Sequence, residues 1–303
     1  MLTFKIDNWG QSMRNILLSM VSAALVAYLV VVFAHVPGKM TERGHVNQDT
    51  LDRILSSKTL RCGYVPYNPL IIKDANTGAI TGIGADIHER IAQMLGVKIA
   101  WTSETTWSTY IQDLKAKRYD MLCDMDFMFP PYVTHLATNL PILYTMVTAW
   151  MRPEEAAKYL DQPLQQFNSP DITVSAIDGT LPMVITQDYF PKAKILGMPN
   201  TTDYTFNLLN VVHKKANVTF VEKIFGEKYL KAHPGQLVNV TPKTPIQVYA
   251  YTIPTLPEEV RLRTAIENII GYMLNNGEID AIVRKYEAEN GYYVAEHPYR
   301  QAK

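Results

Sequence analysis

The run YDMLCDMDFMFPPYVTHLATNLPILY, residues 119–144, decides how the chain is read. It opens as a short apolar strand over 121–123 and passes two acids at that strand's carboxyl end, Asp124 and Asp126. A Pro130-Pro131 turn then leads to a second hydrophobic segment over 141–150. Ligands of open α/β sheets sit just beyond the carboxyl ends of the strands. The run therefore reads as the wall of a binding cleft followed by a crossover into a second lobe. Asp124 is taken as the acid that lines the cleft, and Asp126 as pointing to the opposite face.

On the amino-terminal side, strand and helix alternate. Residues 60–64 form a strand broken by Pro66 and Pro69, and Asp74 to Gly78 is turn chemistry. Asp86 with Glu89 fits a capping box, Ile87, Ile91, Met94 and Leu95 share a helix face, and Gly96 ends that helix. A strand over 97–101 follows, then a helix capped by Ser108 that buries Tyr110, Ile111 and Leu114, then the strand at Met121. This order predicts a parallel sheet. Cys62 and Cys123 match neither metal-ligand spacing nor a disulfide framework. Both fall in predicted strands and read as two buried thiols, a bridge between neighbouring strands being the alternative.

On the carboxyl side the alternation restarts after a polar interval. The strand over 172–177, the turn Asp178-Gly179-Thr180 and a helix over 181–190 with Pro182 in its first turn are succeeded by further strands and helices to residue 240. Residues 246–253 read as the return crossing. Val260, Ala265, Ile266, Ile269, Ile270, Met273 and Leu274 then form one helical stripe, which Asn276-Gly277 terminates before a last helix over 279–286. The expected organisation is one α/β lobe from 49–148 plus 250–290, a second from 149–249, and a tail over 291–303. Each lobe is a parallel-rich sheet flanked by helices, and two crossing strands join them.

With 29 basic and 29 acidic residues the 303-residue chain has no net charge, which gives nucleic acid no basic field to bind. The seven histidines are scattered without metal-ligand spacing, and no phosphate loop, nucleophile elbow or complete dinucleotide fingerprint appears. No metal and no cofactor are expected. Residues 16–36, ILLSMVSAALVAYLVVVFAHV, are long and apolar enough for one bilayer passage. Their length favours a transmembrane anchor or uncleaved signal over a cleaved signal peptide, with 1–15 as a cytoplasmic segment and 37–48 as a polar linker. Lys5 and Arg14 on one side face Lys39 and Arg43 on the other, so charge sets no orientation.

Five stretches carry a family resemblance: LRCGYVPYNPL (60–70), KDANTGAITGIGADIHERIAQMLGVK (73–98), Trp107 with LKAKRYDM (114–121), VSAIDGT (174–180) and RTAIENIIGYMLNNGEIDAIVRKYE (263–287). Over 48–287 the chain resembles the bacterial extracellular solute-binding proteins of the amino-acid-binding type. The resemblance implies a periplasmic-binding-protein-like fold that traps ligand between two lobes. It further implies a monomer on the periplasmic side of the cytoplasmic membrane that serves ABC permease subunits and performs no chemistry of its own. Carried over by position, it implies aromatic walls at Tyr64, Tyr67 and Trp107, strand-end contacts at Asp124, Met125 and Phe127, an anion-accepting turn at Thr180, and an ammonium-binding acid at Glu222. The chain departs from the family pattern at Tyr132, which stands where the family carries the arginine that clamps an α-carboxylate. A cleft with acids and no such arginine is expected to prefer ligands with an exposed ammonium or guanidinium group. Two other functions use the same frame: a dehydratase acting on a small carboxylic acid, with Glu222 as the acid/base group, and a ligand-sensing module.

Overall fold

The computed structural model describes residues 49–127, 132, 134–286, 288 and 291–295. The expected anchor over 16–36, with its flanks 1–15 and 37–48, lies outside the described residues. Among the described residues no helix is long and apolar enough to cross a membrane.

The chain enters through α1 (Thr50–Ser57), whose Leu51 and Ile54 are buried, and runs into β1 (Thr59–Tyr64). A hairpin of β2 (Ile72–Lys73) and β3 (Ile80–Thr81) leads to α2 (Ile83–Leu95), β4 (Lys98–Glu104), α3 (Tyr110–Lys115) and β5 (Met121–Leu122). β1 lies between β4 and β5, parallel to both. One buried carboxylate ties this layer together. Asp120 accepts from the Arg61 backbone N–H at 2.7 Å and pairs with the guanidinium groups of both Arg53 and Arg61. Buried charges persist where they are paired in this way.

Three local expectations need correction. α2 begins at Ile83 rather than after Asp86, because Gly82 at φ +121° starts the helix where a Cβ would overlap the Leu70 carbonyl. Asp86 is instead turned outward to Lys285 and Tyr286. α3 begins after Thr109, which makes no side-chain cap bond, and Ser108 meets the Thr106 hydroxyl instead. The cysteines are not free thiols: Cys62 and Cys123 form a disulfide with their Cα atoms 5.2 Å apart. Parallel pairing causes this, since Cys62 sits opposite Met121 and the Cys123 N–H bonds to the Gly63 carbonyl at 2.8 Å.

Past β5 the chain contributes β6 (Asp126–Phe127) to a second sheet and then β7 (Leu143–Met151), the long first crossing. α4 (Pro153–Ala156), β8 (Thr173–Ile177), α5 (Leu181–Tyr189), β9 (Lys194–Met198), α6 (Phe206–Val212), β10 (Val218–Glu222), α7 (Lys223–Ala232) and β11 (Val238–Asn239) build the other lobe. The return crossing is β12 (Gln247–Thr252), followed by α8 (Val260–Asn276), α9 (Glu278–Lys285) and β13 (Tyr292–Val294). This mixed sheet runs β6-β12-β7-β10-β8-β9, with β8 and β9 parallel and β7 antiparallel to β10, β12 and β13. The fold is α/β and two-lobed. Leu143 and Tyr251 lie in the core of the first lobe, while Val147, Ala149, Met151 and Ile246 lie in that of the second. β7 and β12 are thus the paired strands that connect the two cores.

Candidate ligand-binding cleft

A cavity of about 410 Å³, open mouth included, lies between the lobes. Tyr67, Trp107, Asp126, Phe127 and Tyr132 line it from the first lobe. Gly179, Thr180, Leu181, Tyr204 and Glu222 line it from the second, with Tyr251 reaching in from the return crossing. The lobes touch across it. Tyr67 stacks on Phe225 of α7 with ring centres 5.6 Å apart, and Lys228 donates to Asn68 at 2.8 Å.

Each wall begins with local structure. Asp126 opens β6, where its Oδ1 accepts from the Phe127 N–H and its Oδ2 from the Tyr110 hydroxyl at 2.7 Å. Burial pushes its pKa up to about 7 against the pull of those two donors, and Glu222 across the cleft adds to the rise. Glu222 ends β10 and starts α7, and it is 2% exposed. Tyr204 and Tyr251 donate to its two oxygens at 3.2 and 3.3 Å, yet desolvation still raises its pKa. Burial lifts the phenols of Tyr67, Tyr204 and Tyr251 well above their ordinary value, so they remain donors at neutral pH. The Tyr67 hydroxyl lies outside ordinary hydrogen-bond geometry but still interacts with the Glu222 carboxyl and helps to lower its pKa.

The second-lobe turn is less open to an anion than the resemblance implies. Gly179 at φ +75° turns the chain, but the Thr180 N–H and hydroxyl both donate to the Ile177 carbonyl, at 3.1 and 2.7 Å. Pro182 has no N–H, and the Met183 N–H is spent on the Thr180 carbonyl. Arg152, just past the first crossing, is buried inside the second lobe, where it donates to the carbonyls of Val211 and Ala216 and pairs with Glu155.

Of the residues singled out in the sequence, Tyr67, Trp107, Phe127, Tyr132, Thr180 and Glu222 come together around the cavity. Three do not. Tyr64 packs edge-on against Trp101 at 5.8 Å, and Met125 is sealed in the first-lobe core. Asp124 is fully buried, with Oδ1 accepting from the Met125 N–H and lying close to Gly84 of α2. Asp126 takes the cleft position expected of Asp124. The expectation that a strand sets the two acids on opposite faces is itself wrong, since residues two apart in one unbroken strand share a face. They part because the chain leaves β5 after Leu122 and joins the other sheet at Asp126. Tyr204 and Leu181 carried no signal of their own in the sequence, and Tyr251 was legible only as part of a crossing strand.

Residues 60–289 match the family described as "Bacterial extracellular solute-binding proteins, family 3". The chain belongs to that family. No curated protein sequence matches it significantly. Among solved structures, an ancestral amino acid-binding protein described as a precursor of cyclohexadienyl dehydratase superposes with a TM-score of 0.68 at 23% identity, over 78% of this chain and 99% of that one. A mutant of ArgBP from T. maritima gives 0.67 at 19%, over 79% and 99%. The cysteine-binding protein of Campylobacter jejuni gives 0.67 at 14%, over 82% and 100%. At these identities the likeness is one of fold.

Proposed function

We propose that this protein is a solute receptor on the periplasmic side of the cytoplasmic membrane. It captures a small polar ligand, amino-acid-like or amine-bearing, between its lobes and delivers it as a monomer to ABC permease subunits. One observation carries this reading: the cavity is built by both lobes at once, with Asp126 and Glu222 supplied from opposite sides and the two crossing strands beside it. A site shared in this way is completed only on closure, which couples binding to a change of shape that a permease can sense. Family membership supports the role, as do the ligands named for structural neighbours such as ArgBP and the cysteine-binding protein. The Cys62–Cys123 disulfide fits an oxidising compartment. Tyr67, Trp107, Phe127, Tyr132, Thr180 and Glu222 are the proposed contacts, joined by Asp126, Tyr204 and Tyr251. Residues 16–36 are the proposed tether.

A thermal-shift screen over amino acids, amines and small organic acids tests the reading, since a ligand bound only by the folded state raises the melting temperature by mass action. At least one compound is expected to do so and to compact the protein in small-angle scattering. A panel without any stabilising compound counts against a receptor. A buried acid with a raised pKa in a cleft also suits general acid/base chemistry, and a structural neighbour is described as a dehydratase precursor. Turnover of a stabilising compound, abolished in Glu222→Gln, would establish that second reading.

A further inference from the structure

The cavity is electrically one-sided. Two carboxylates line it, Asp126 at 6% and Glu222 at 2% exposure, and among the described residues no lysine, arginine or histidine does. The neighbouring residues 128–131 and 133 are Met, Phe, Pro, Pro and Val, so the sequence offers no cation there either. The arginine that the resemblance implies as a carboxylate clamp is replaced by Tyr132, and in the second-lobe turn the Thr180 and Met183 N–H groups are spent on the turn's own carbonyls while Pro182 has none. Aromatic rings, chiefly Trp107, Tyr67, Tyr204, Tyr132 and Phe127, make up most of the remaining wall, and their faces attract cations. The Tyr67 hydroxyl, in a side chain more than nine-tenths buried, is left in this wall without a partner in ordinary hydrogen-bond geometry. Buried polar groups generally find a partner, so a hydroxyl left open in the cavity wall can take a polar group of the ligand. Two acids brought together away from water repel unless a positive charge sits between them.

We infer that the cargo of this cleft is a small organic cation without a carboxylate, an amine or guanidine whose charge rests against Asp126 and Glu222 inside the aromatic wall. The inference rests on the receptor reading and narrows it. An amino acid would set its carboxylate beside two acids, with no cationic side chain among the described lining residues to receive it. Its decarboxylated counterpart presents only the group the cavity complements.

Titration calorimetry of the full chain, purified in detergent, tests the inference with four matched pairs differing only by the α-carboxylate: agmatine and arginine, cadaverine and lysine, tyramine and tyrosine, histamine and histidine. In at least one pair the amine is expected to bind at least about tenfold more tightly than the acid. Glu222→Gln and Asp126→Asn, near-isosteric changes checked for folding by circular dichroism, each weaken that amine about tenfold or more. Tyr132→Arg, which restores a guanidinium at the clamp position, narrows or reverses the gap within the pair. Tighter binding of the amino acid in every pair that binds overturns the inference while leaving the receptor reading intact. So does the absence of any amine binding below about 1 mM when another compound still compacts the protein. Failure of every compound in the wider screen to stabilise or compact it overturns both.

Discussion

Asp126 shows how burial sets the working range of this cleft. Its carboxyl is raised to about 7, so without a bound cation it is protonated below neutrality in the folded state, while the unfolded chain has already ionised. The folded state then holds the extra proton, and the contribution of this group to stability falls as pH rises from about 4 to about 7. Cation binding has the opposite slope, because it needs the carboxylate. Affinity for a bound amine is expected to rise roughly tenfold between about pH 6 and about pH 8. Calorimetry at several pH values checks this, and Asp126→Asn should flatten the profile. A persistent slope in that variant would assign the titration to Glu222, whose pKa is also raised by burial.

Two elements make predictions of their own. The Cys62–Cys123 bridge ties β1 to the exit of β5 across a sequence separation of 61 residues. A loop of that size corresponds to about 4 kcal/mol of denatured-state entropy in the chain-constraint account. The Cys62→Ala/Cys123→Ala double variant is expected to lose about 2–4 kcal/mol, read from urea midpoints. An unchanged midpoint would mean the cross-link contributes nothing measurable. In α7, Gly226 lies against the fully buried Trp150 of β7, where a Cβ would overlap the indole ring. Gly226→Ala should cost about 1–3 kcal/mol by overpacking, despite the better helix propensity of alanine.

At the scale of the whole molecule, closure and attachment are the testable properties. Stacking of Tyr67 on Phe225 and the bond from Lys228 to Asn68 join the lobes across the cleft, and both must break for ligand to leave. Opening is expected to pivot on β7 and β12, so that a confirmed ligand reduces the radius of gyration in small-angle scattering. An identical scattering curve with and without that ligand would rule out the hinge. The chain is also expected to stay with membranes after carbonate extraction, because residues 16–36 are apolar for a full bilayer thickness. Recovery of a soluble form starting near His35 would instead identify a cleaved signal peptide.

The sequence by itself determined the order of elements, the two lobes and the placement of the return crossing. These follow from local period, glycine stops and turn residues that act within a few positions of themselves. The strand expected over 172–177 and the helix expected over 181–190 appear within a residue of those limits, and Gly96 and Gly277 end their helices in the left-handed conformation as expected. Tertiary structure alone decided which acid faces the cleft, because the break between β5 and β6 sends Asp126 into the other sheet. Tertiary structure also joined Cys62 to Cys123 through strand pairing. It gathered Tyr67, Tyr204 and Tyr251 around Glu222 from far-separated segments. Contacts of that kind depend on the packing of elements against one another, and no local pattern in the chain encodes them.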